Sequence, residues 1–65
     1  MEEQQAQLLA EIVGGEIWQS GGGIWLVLKH RSDGKYIVFS DEMVALYSNE
    51  EAVESGEPEQ TLIIV

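Results

Sequence analysis

Cysteine is absent from this sequence, and histidine and proline occur once each, as His30 and Pro58. Without cysteine the chain can form no disulfide framework, iron–sulfur cluster or zinc knuckle. Basic residues are scarce as well, since three lysines and arginines stand against twelve aspartates and glutamates, for a formal net charge of −9. That charge opposes binding to nucleic acid or anionic lipid and favours basic partners. We therefore expect no metal site, no cofactor and no direct contact with nucleic acid or a membrane.

Long apolar runs are also missing. No stretch could serve as a secretion signal or a membrane span, and the first residues are acidic where a signal would be basic. A cytoplasmic protein is the expectation. The 65 residues, of which 45% are hydrophobic, predict one small domain over residues 1–65. A chain of this size buries only about 60% of its unfolded surface, so efficient packing or self-association must supply the missing stability.

The first half of the chain predicts a helix and then strands. Residues 2–13 have apolar residues at helical spacing, and this predicts a buried stripe made of Leu8, Leu9, Ile12 and Val13 with Ala6 behind it. Gly14 and Gly15 end the helix, because glycine adopts the left-handed cap conformation at low cost. Residues 16–19 form a short strand candidate, and the serine and glycines of residues 20–23 form a loop.

A β-hairpin is predicted from residues 24–31 and 35–40. The dipeptide Asp33-Gly34 between them favours a two-residue type I′ turn, which places Arg31 opposite Tyr36. Alternation along the strands then gives a core face and a partly exposed face. The core face carries Ile24, Leu26, Leu28, His30, Ile37 and Phe39. The exposed face carries Trp25, Val27, Lys29, Arg31, Tyr36 and Val38.

The second half predicts one more strand, a short helix and a last strand. Residues 43–47 form the strand, and Ser48 with Glu51 has the spacing of a capping box that starts the helix. Gly56 and Pro58 end it. The unbroken apolar run of the last strand, which begins at Thr61 and ends at Val65, predicts burial on both faces. The fold class is α+β: an N-terminal helix packed on a small three- to five-stranded, mainly antiparallel sheet, with a short acidic helix before the last strand.

Catalytic chemistry is disfavoured throughout the sequence. The only candidate base for nucleophilic catalysis is His30, which is predicted to face the core. The glycines of residues 21–23 lack the following helix and the lysine of a phosphate-binding loop. The carboxylates are numerous, but a chain this short offers little of the enclosed cleft that glycosidase-type chemistry needs. We predict a protein that is not an enzyme and has no catalytic residue.

Two groups of residues are candidates for binding a protein partner. The first is a patch of residue types enriched at binding hot spots: Trp25, Lys29, Arg31 and Tyr36. The second is an acidic flank, seven acids without a base: Asp41, Glu42, Glu50, Glu51, Glu54, Glu57 and Glu59. All three basic residues lie between Lys29 and Lys35, which predicts a bipolar fold with a basic hairpin tip and a separate acidic flank. The simpler interpretation is that the tip cations pair with nearby acids and protect an edge strand.

The main hypothesis is a small, acidic, non-enzymatic protein-binding module that regulates or inhibits a larger protein, one with a basic surface. A first alternative is an inhibitor that mimics nucleic acid, of the phage anti-restriction or anti-CRISPR type, acting through the acidic flank. A second alternative is a homo-oligomeric structural protein, with a homodimer formed by edge pairing of the strand from Thr61 to Val65.

Overall fold

The computed structural model describes residues 1–64 as two helices and five strands. In chain order the elements are α1 (Glu3–Val13), β1 (Glu16–Gln19), β2 (Trp25–His30), β3 (Tyr36–Phe39), β4 (Met43–Tyr47), α2 (Glu50–Ser55) and β5 (Gln60–Ile64). The strands form one sheet in the order β1-β2-β3-β4-β5, and every neighbouring pair is antiparallel. The predicted α+β class, with a helix before the sheet and a short helix before the last strand, is confirmed.

Each helix covers half of one face of the sheet. Helix α1 packs on β1 and β2, and α2 packs on β3 and β4 from the other side. We call these the α1 face and the α2 face. The core is accordingly split into two clusters, one centred on Val27 under α1 and the other on Leu28 and Val38 under α2. Half of each face is left without a helix.

Helix α1 ends where the sequence predicts, at a left-handed Gly14, but its buried stripe differs from the prediction. Ala6 and Ala10 are its buried residues, whereas Leu8 and Ile12 are 62% and 80% exposed. Two alanines one turn apart let the helix lie close to the strands, and they contact Val27, which has no exposed surface. The prediction that Leu8 and Ile12 are buried is therefore wrong.

The hairpin between β2 and β3 forms, but with a different turn and register. Arg31 pairs with Lys35 through its N–H (2.8 Å), which leaves a three-residue loop with Gly34 at a φ of 86°. This is a type I turn closed by a glycine bulge, the next most common hairpin loop after the two-residue turns. The loop is one residue longer than predicted, so His30 lies opposite Tyr36 and Leu28 opposite Val38.

That shift of one residue changes which side chains share a face. Val27 and Phe39 now lie together on the α1 face, and Leu28, Val38 and Tyr36 lie on the α2 face. The predicted division into one core face and one exposed face is wrong. Because a helix packs on each face, both faces of the sheet contribute to the core.

The segment after β4 differs from the prediction in two details. The N-cap of α2 is Asn49 rather than Ser48, because the Asn49 side chain accepts a hydrogen bond from the N–H of Ala52 (2.9 Å). Strand β5 is exposed along its whole length, with Ile64 at 81%, so the predicted burial on both faces is wrong for residues 61–64. An edge strand has a single neighbour and no helix above it here. Val65 lies outside the described residues.

We expect Gly34→Ala to lower the free energy of unfolding by about 1 kcal/mol, because an L side chain is strained at this φ. A Cβ at Gly34 would meet no atom within 4 Å, so the loss comes from backbone strain alone. Urea denaturation measures it. Gly34→Asn is the control, since asparagine tolerates the left-handed conformation and should recover most of the loss. Equal losses in both variants would contradict this explanation.

Candidate protein-binding surfaces

The structure does not bring the predicted patch of Trp25, Lys29, Arg31 and Tyr36 together. Trp25 and Lys29 lie on the α1 face, where Trp25 packs half-buried against the cluster under α1. Tyr36 lies on the α2 face, opposite His30. Arg31 follows the end of β2 and closes the hairpin loop through its backbone pairing with Lys35. Because the patch depended on the wrong register, its four side chains cannot form one contact surface.

The three cations are engaged within the molecule. Arg31 pairs with Asp33 (3.1 Å), and Lys35 pairs with Glu59 (2.8 Å). The amino group of Lys29 lies at the C-terminal end of α1, about 3.0 Å from where a Cβ of Gly14 would stand, and there it complements the helix dipole. Since Glu59 belongs to the acidic flank, the basic tip and the flank meet, and the predicted bipolar separation is wrong. The pairs agree with the simpler interpretation of the cation cluster.

His30 is exposed at the end of β2 and does not face the core as predicted. Its ring stacks on Tyr36, with ring centroids 4.8 Å apart and an interplanar angle of 19°. Stacking of this kind stabilises the last pair of the hairpin. It gives the histidine a structural role at the strand end.

The acidic flank divides into separate groups. Asp41 and Glu42 form the tight turn between β3 and β4, and Glu54 lies across from them on α2. Glu51 and Glu57 border a shallow depression at the start of α2. The remaining two are Glu50, in the first turn of α2, and Glu59, paired with Lys35. The group of Asp41, Glu42 and Glu54 borders a cavity with apolar walls.

That cavity is a groove of about 480 Å³ on the α2 face, and we call it the α2 groove. It lies over the half of the face that α2 leaves uncovered, beside the β1–β2 hairpin. Its floor and walls are apolar and half-buried to buried: Trp18, Leu26, Tyr47 and Val53. The acidic group forms its rim, and the exposed Ile24 stands at one end. The volume is in the range of ordinary ligand pockets.

The rim carboxylates differ in what they already bind. Asp41 forms an ion pair with the N-terminal amino group of Met1. Among residues 1–64, Glu42 and Glu54 form no ion pair. The groove therefore offers an indole and an isobutyl surface with two uncompensated negative charges beside them. An arrangement of this kind can hold a cation and an apolar group side by side.

Within residues 1–64 no three side chains of histidine, aspartate or glutamate are placed to hold a metal ion. The same part of the chain contains no helix long and apolar enough to cross a membrane. A scan against protein-family models found no match, and neither did searches of curated proteins and of solved structures. The α2 groove was not predicted from the sequence. The one local signal was the alternation that places Trp18 and Leu26 on the same face once β1 and β2 pair.

Proposed function

We propose that this protein is a small, non-enzymatic protein-binding module that regulates or inhibits a larger protein by binding a basic segment of it in the α2 groove. The observation that carries the proposal is the combination of Trp18 and Leu26 in the floor with Glu42 and Glu54 at the rim. Apolar surface supplies affinity when it leaves water, and the carboxylates select a partner of opposite charge.

The chemistry favours an arginine or lysine next to an apolar side chain in the partner. The cation would lie against the indole of Trp18, where cation–π attraction contributes about 0.5–2 kcal/mol. Its charge would meet Glu42 and Glu54. The neighbouring apolar side chain would cover Leu26. The formal net charge of −9 also speeds encounter with a basic partner at low ionic strength.

We expect the double variant Glu42→Gln and Glu54→Gln to bind its partner about three- to tenfold more weakly, because each partly exposed ion pair contributes up to about 1 kcal/mol. The partner is identified by capture from host lysate at low and at raised salt, and its dissociation constant is then measured with the purified partner. Wild-type affinity should fall as salt rises, and the double variant should respond less.

The matched control is Glu50→Gln with Glu51→Gln, which removes two charges from α2 outside the groove. It should leave the affinity within about twofold of wild type. If the control variant lost as much affinity as the groove variant, the binding site would be the acidic flank as a whole. That result would favour the nucleic-acid mimic. Trp18→Ala supplies the second test: an unchanged affinity with a preserved far-ultraviolet circular dichroism spectrum would exclude the groove.

A further inference from the structure

Strand β1 forms one edge of the sheet, and its outer side is unpaired. It contacts β2 along one side and α1 on the α1 face, and no other helix or strand within residues 1–64 reaches it. Its four pairs with β2 follow one another without a bulge, and it contains no lysine or proline to protect the edge. At the opposite edge a β-bulge interrupts the pairing of β5 with β4. The outer side of β1 is therefore open to another strand.

The hydrogen bonds of the β1–β2 hairpin determine which backbone groups of β1 face outward. The N–H of Ser20 donates to the carbonyl oxygen of Ile24 (2.9 Å), so these two residues form a hydrogen-bonded pair. Hydrogen-bonded and non-hydrogen-bonded pairs alternate along an antiparallel ladder. Trp18 therefore directs its N–H and C=O groups toward β2, while those of Ile17 and Gln19 point away from the sheet. The edge presents two donors and two acceptors at the spacing of an extended chain.

The side chains beside this edge on the α2 face are aromatic and acidic. Trp18 and Glu16 lie on that face, opposite Leu26 and Leu28. Glu16 is exposed, and among residues 1–64 it forms no ion pair. Trp18 also belongs to the floor of the α2 groove, so the edge and the groove are continuous. An added strand would place one side chain opposite Trp18 and the next side chain of the same face opposite Glu16.

Building on the function proposed above, we infer that the basic segment of the partner binds as a sixth strand, antiparallel to β1 as the other pairs of the sheet are. Its backbone pairs with Ile17 and Gln19, and its alternate side chains supply specificity. A cation opposite Trp18 lies along the indole with its charge in the α2 groove, and a second cation two residues later pairs with Glu16. An apolar side chain two residues earlier lies toward Ile24, which is 56% exposed at the end of the groove. The preferred pattern is apolar-x-cation-x-cation.

A second copy of the chain fits this edge less well than a basic segment. Strand β1 contains no cation, so its pairing with its own copy would leave both Glu16 carboxylates without a partner. It would also bring together two molecules that each carry a formal net charge of −9, and their repulsion opposes association. The same charge attracts a basic segment.

The first test is calorimetric titration with the synthetic peptide acetyl-Thr-Leu-Thr-Arg-Thr-Arg-Thr-amide, which has the preferred pattern on one face. Two N-methylated forms of it are compared. In one form the methyl groups are on the two threonines that flank the first arginine, whose N–H groups would face β1. In the other they are on the leucine and the second arginine, whose N–H groups would face away. The first form should bind about tenfold more weakly than the unmodified peptide, and the second within about twofold of it. Equal affinities of the two forms would overturn strand addition.

The second test changes the protein. Gln19→Pro removes the outward N–H but keeps the N–H of Trp18 that faces β2, and an edge strand tolerates proline at such a position. It should weaken binding of the unmodified peptide about tenfold. Gln19→Ala is the matched control, because it loses the same side-chain hydrogen bond to the carbonyl of Gly23 (3.2 Å) but keeps the backbone N–H. It should bind within about twofold of wild type. Circular dichroism confirms that both variants are folded, and equal affinities of the two would overturn strand addition.

The groove variant separates this inference from the proposed function. If Glu42→Gln with Glu54→Gln weakened peptide binding and Gln19→Pro did not, the groove would remain the site and strand addition would be wrong. If only Gln19→Pro weakened it, the strand would add to β1 but the groove would not be the site. A peptide that fails to bind at millimolar concentration would overturn strand addition. A wild-type dimer in sedimentation equilibrium that Gln19→Pro dissociates would assign the edge to a second copy and overturn it as well.

Discussion

Gly15→Ala should destabilise the domain by about 3 kcal/mol, at the upper end of the cost of forcing extra volume into a packed site. A Cβ at Gly15 would overlap the carbonyl oxygen of Leu28 and lie 3.1 Å from its carbonyl carbon. Both atoms belong to the backbone of the central part of β2, which is held by β1 and β3 and cannot move aside. The connection between α1 and β1 would have to lift away, and α1 with it.

Gly21→Ala is the matched control for this prediction. A Cβ at Gly21 meets nothing within 4 Å, and its φ is not positive. Its free energy of unfolding should change by less than about 0.5 kcal/mol, or rise slightly because alanine has less freedom in the unfolded chain. Urea denaturation of both variants makes the comparison. If Gly15→Ala lowered the free energy of unfolding no more than Gly21→Ala, the close approach of Gly15 to Leu28 would not be needed for stability.

Ala6→Leu should have an effect of similar size, about 3 kcal/mol or more. Ala6 has no exposed surface, and it lies in one cluster with Val27, which is also fully buried. Three more heavy atoms cannot enter between helix and sheet unless α1 moves outward, and that would open the cluster. A single core in so small a domain supplies only about 3–5 kcal/mol in all, so the variant should be largely unfolded at room temperature.

The control for Ala6→Leu is Leu8→Ala, a change of the same atoms in the opposite direction on the exposed side of α1. It should change the free energy of unfolding by less than about 0.5 kcal/mol, because alanine has the higher helix propensity. Thermal melts followed at 222 nm, in dilute solution where association is low, compare the two. A stable Ala6→Leu variant would mean that α1 is not closely packed.

Local signals in the sequence predicted the elements well. Gly14 ends α1 at its left-handed cap, and Gly56 ends α2 in the same way, because only one residue type takes this conformation freely. The strand candidates at 16–19 and 43–47 also form. The sequence predicted the position of the turn at Asp33-Gly34 but not the length of its loop. A glycine with positive φ suits both a two-residue turn and a three-residue loop. The extra residue in the loop moved every side chain of β3 to the other face relative to those of β2.

Tertiary position explains the remaining differences. Nothing in the spacing of α1 distinguishes a large stripe of Leu8 and Ile12 from a small stripe of Ala6 and Ala10, since both repeat every four residues. The small stripe is the one that packs on the sheet, because alanine side chains permit a closer approach of helix and sheet. Strand β5 has the apolar run of a buried strand, yet the order of the strands puts it at an edge. The α2 groove could not be predicted either, because it depends on how much of the sheet a six-residue helix leaves open.

The order of the strands has a consequence for the rate of folding. Each strand pairs only with its neighbours in sequence, from β1 to β5, and three of the four connections are tight turns. Loop closure before each pairing is therefore inexpensive in entropy. The meander can grow one hairpin at a time without a long-range search, and contacts of this local kind are associated with rapid folding. A polypeptide emerging from the ribosome could begin to assemble this sheet before its last strand is synthesised.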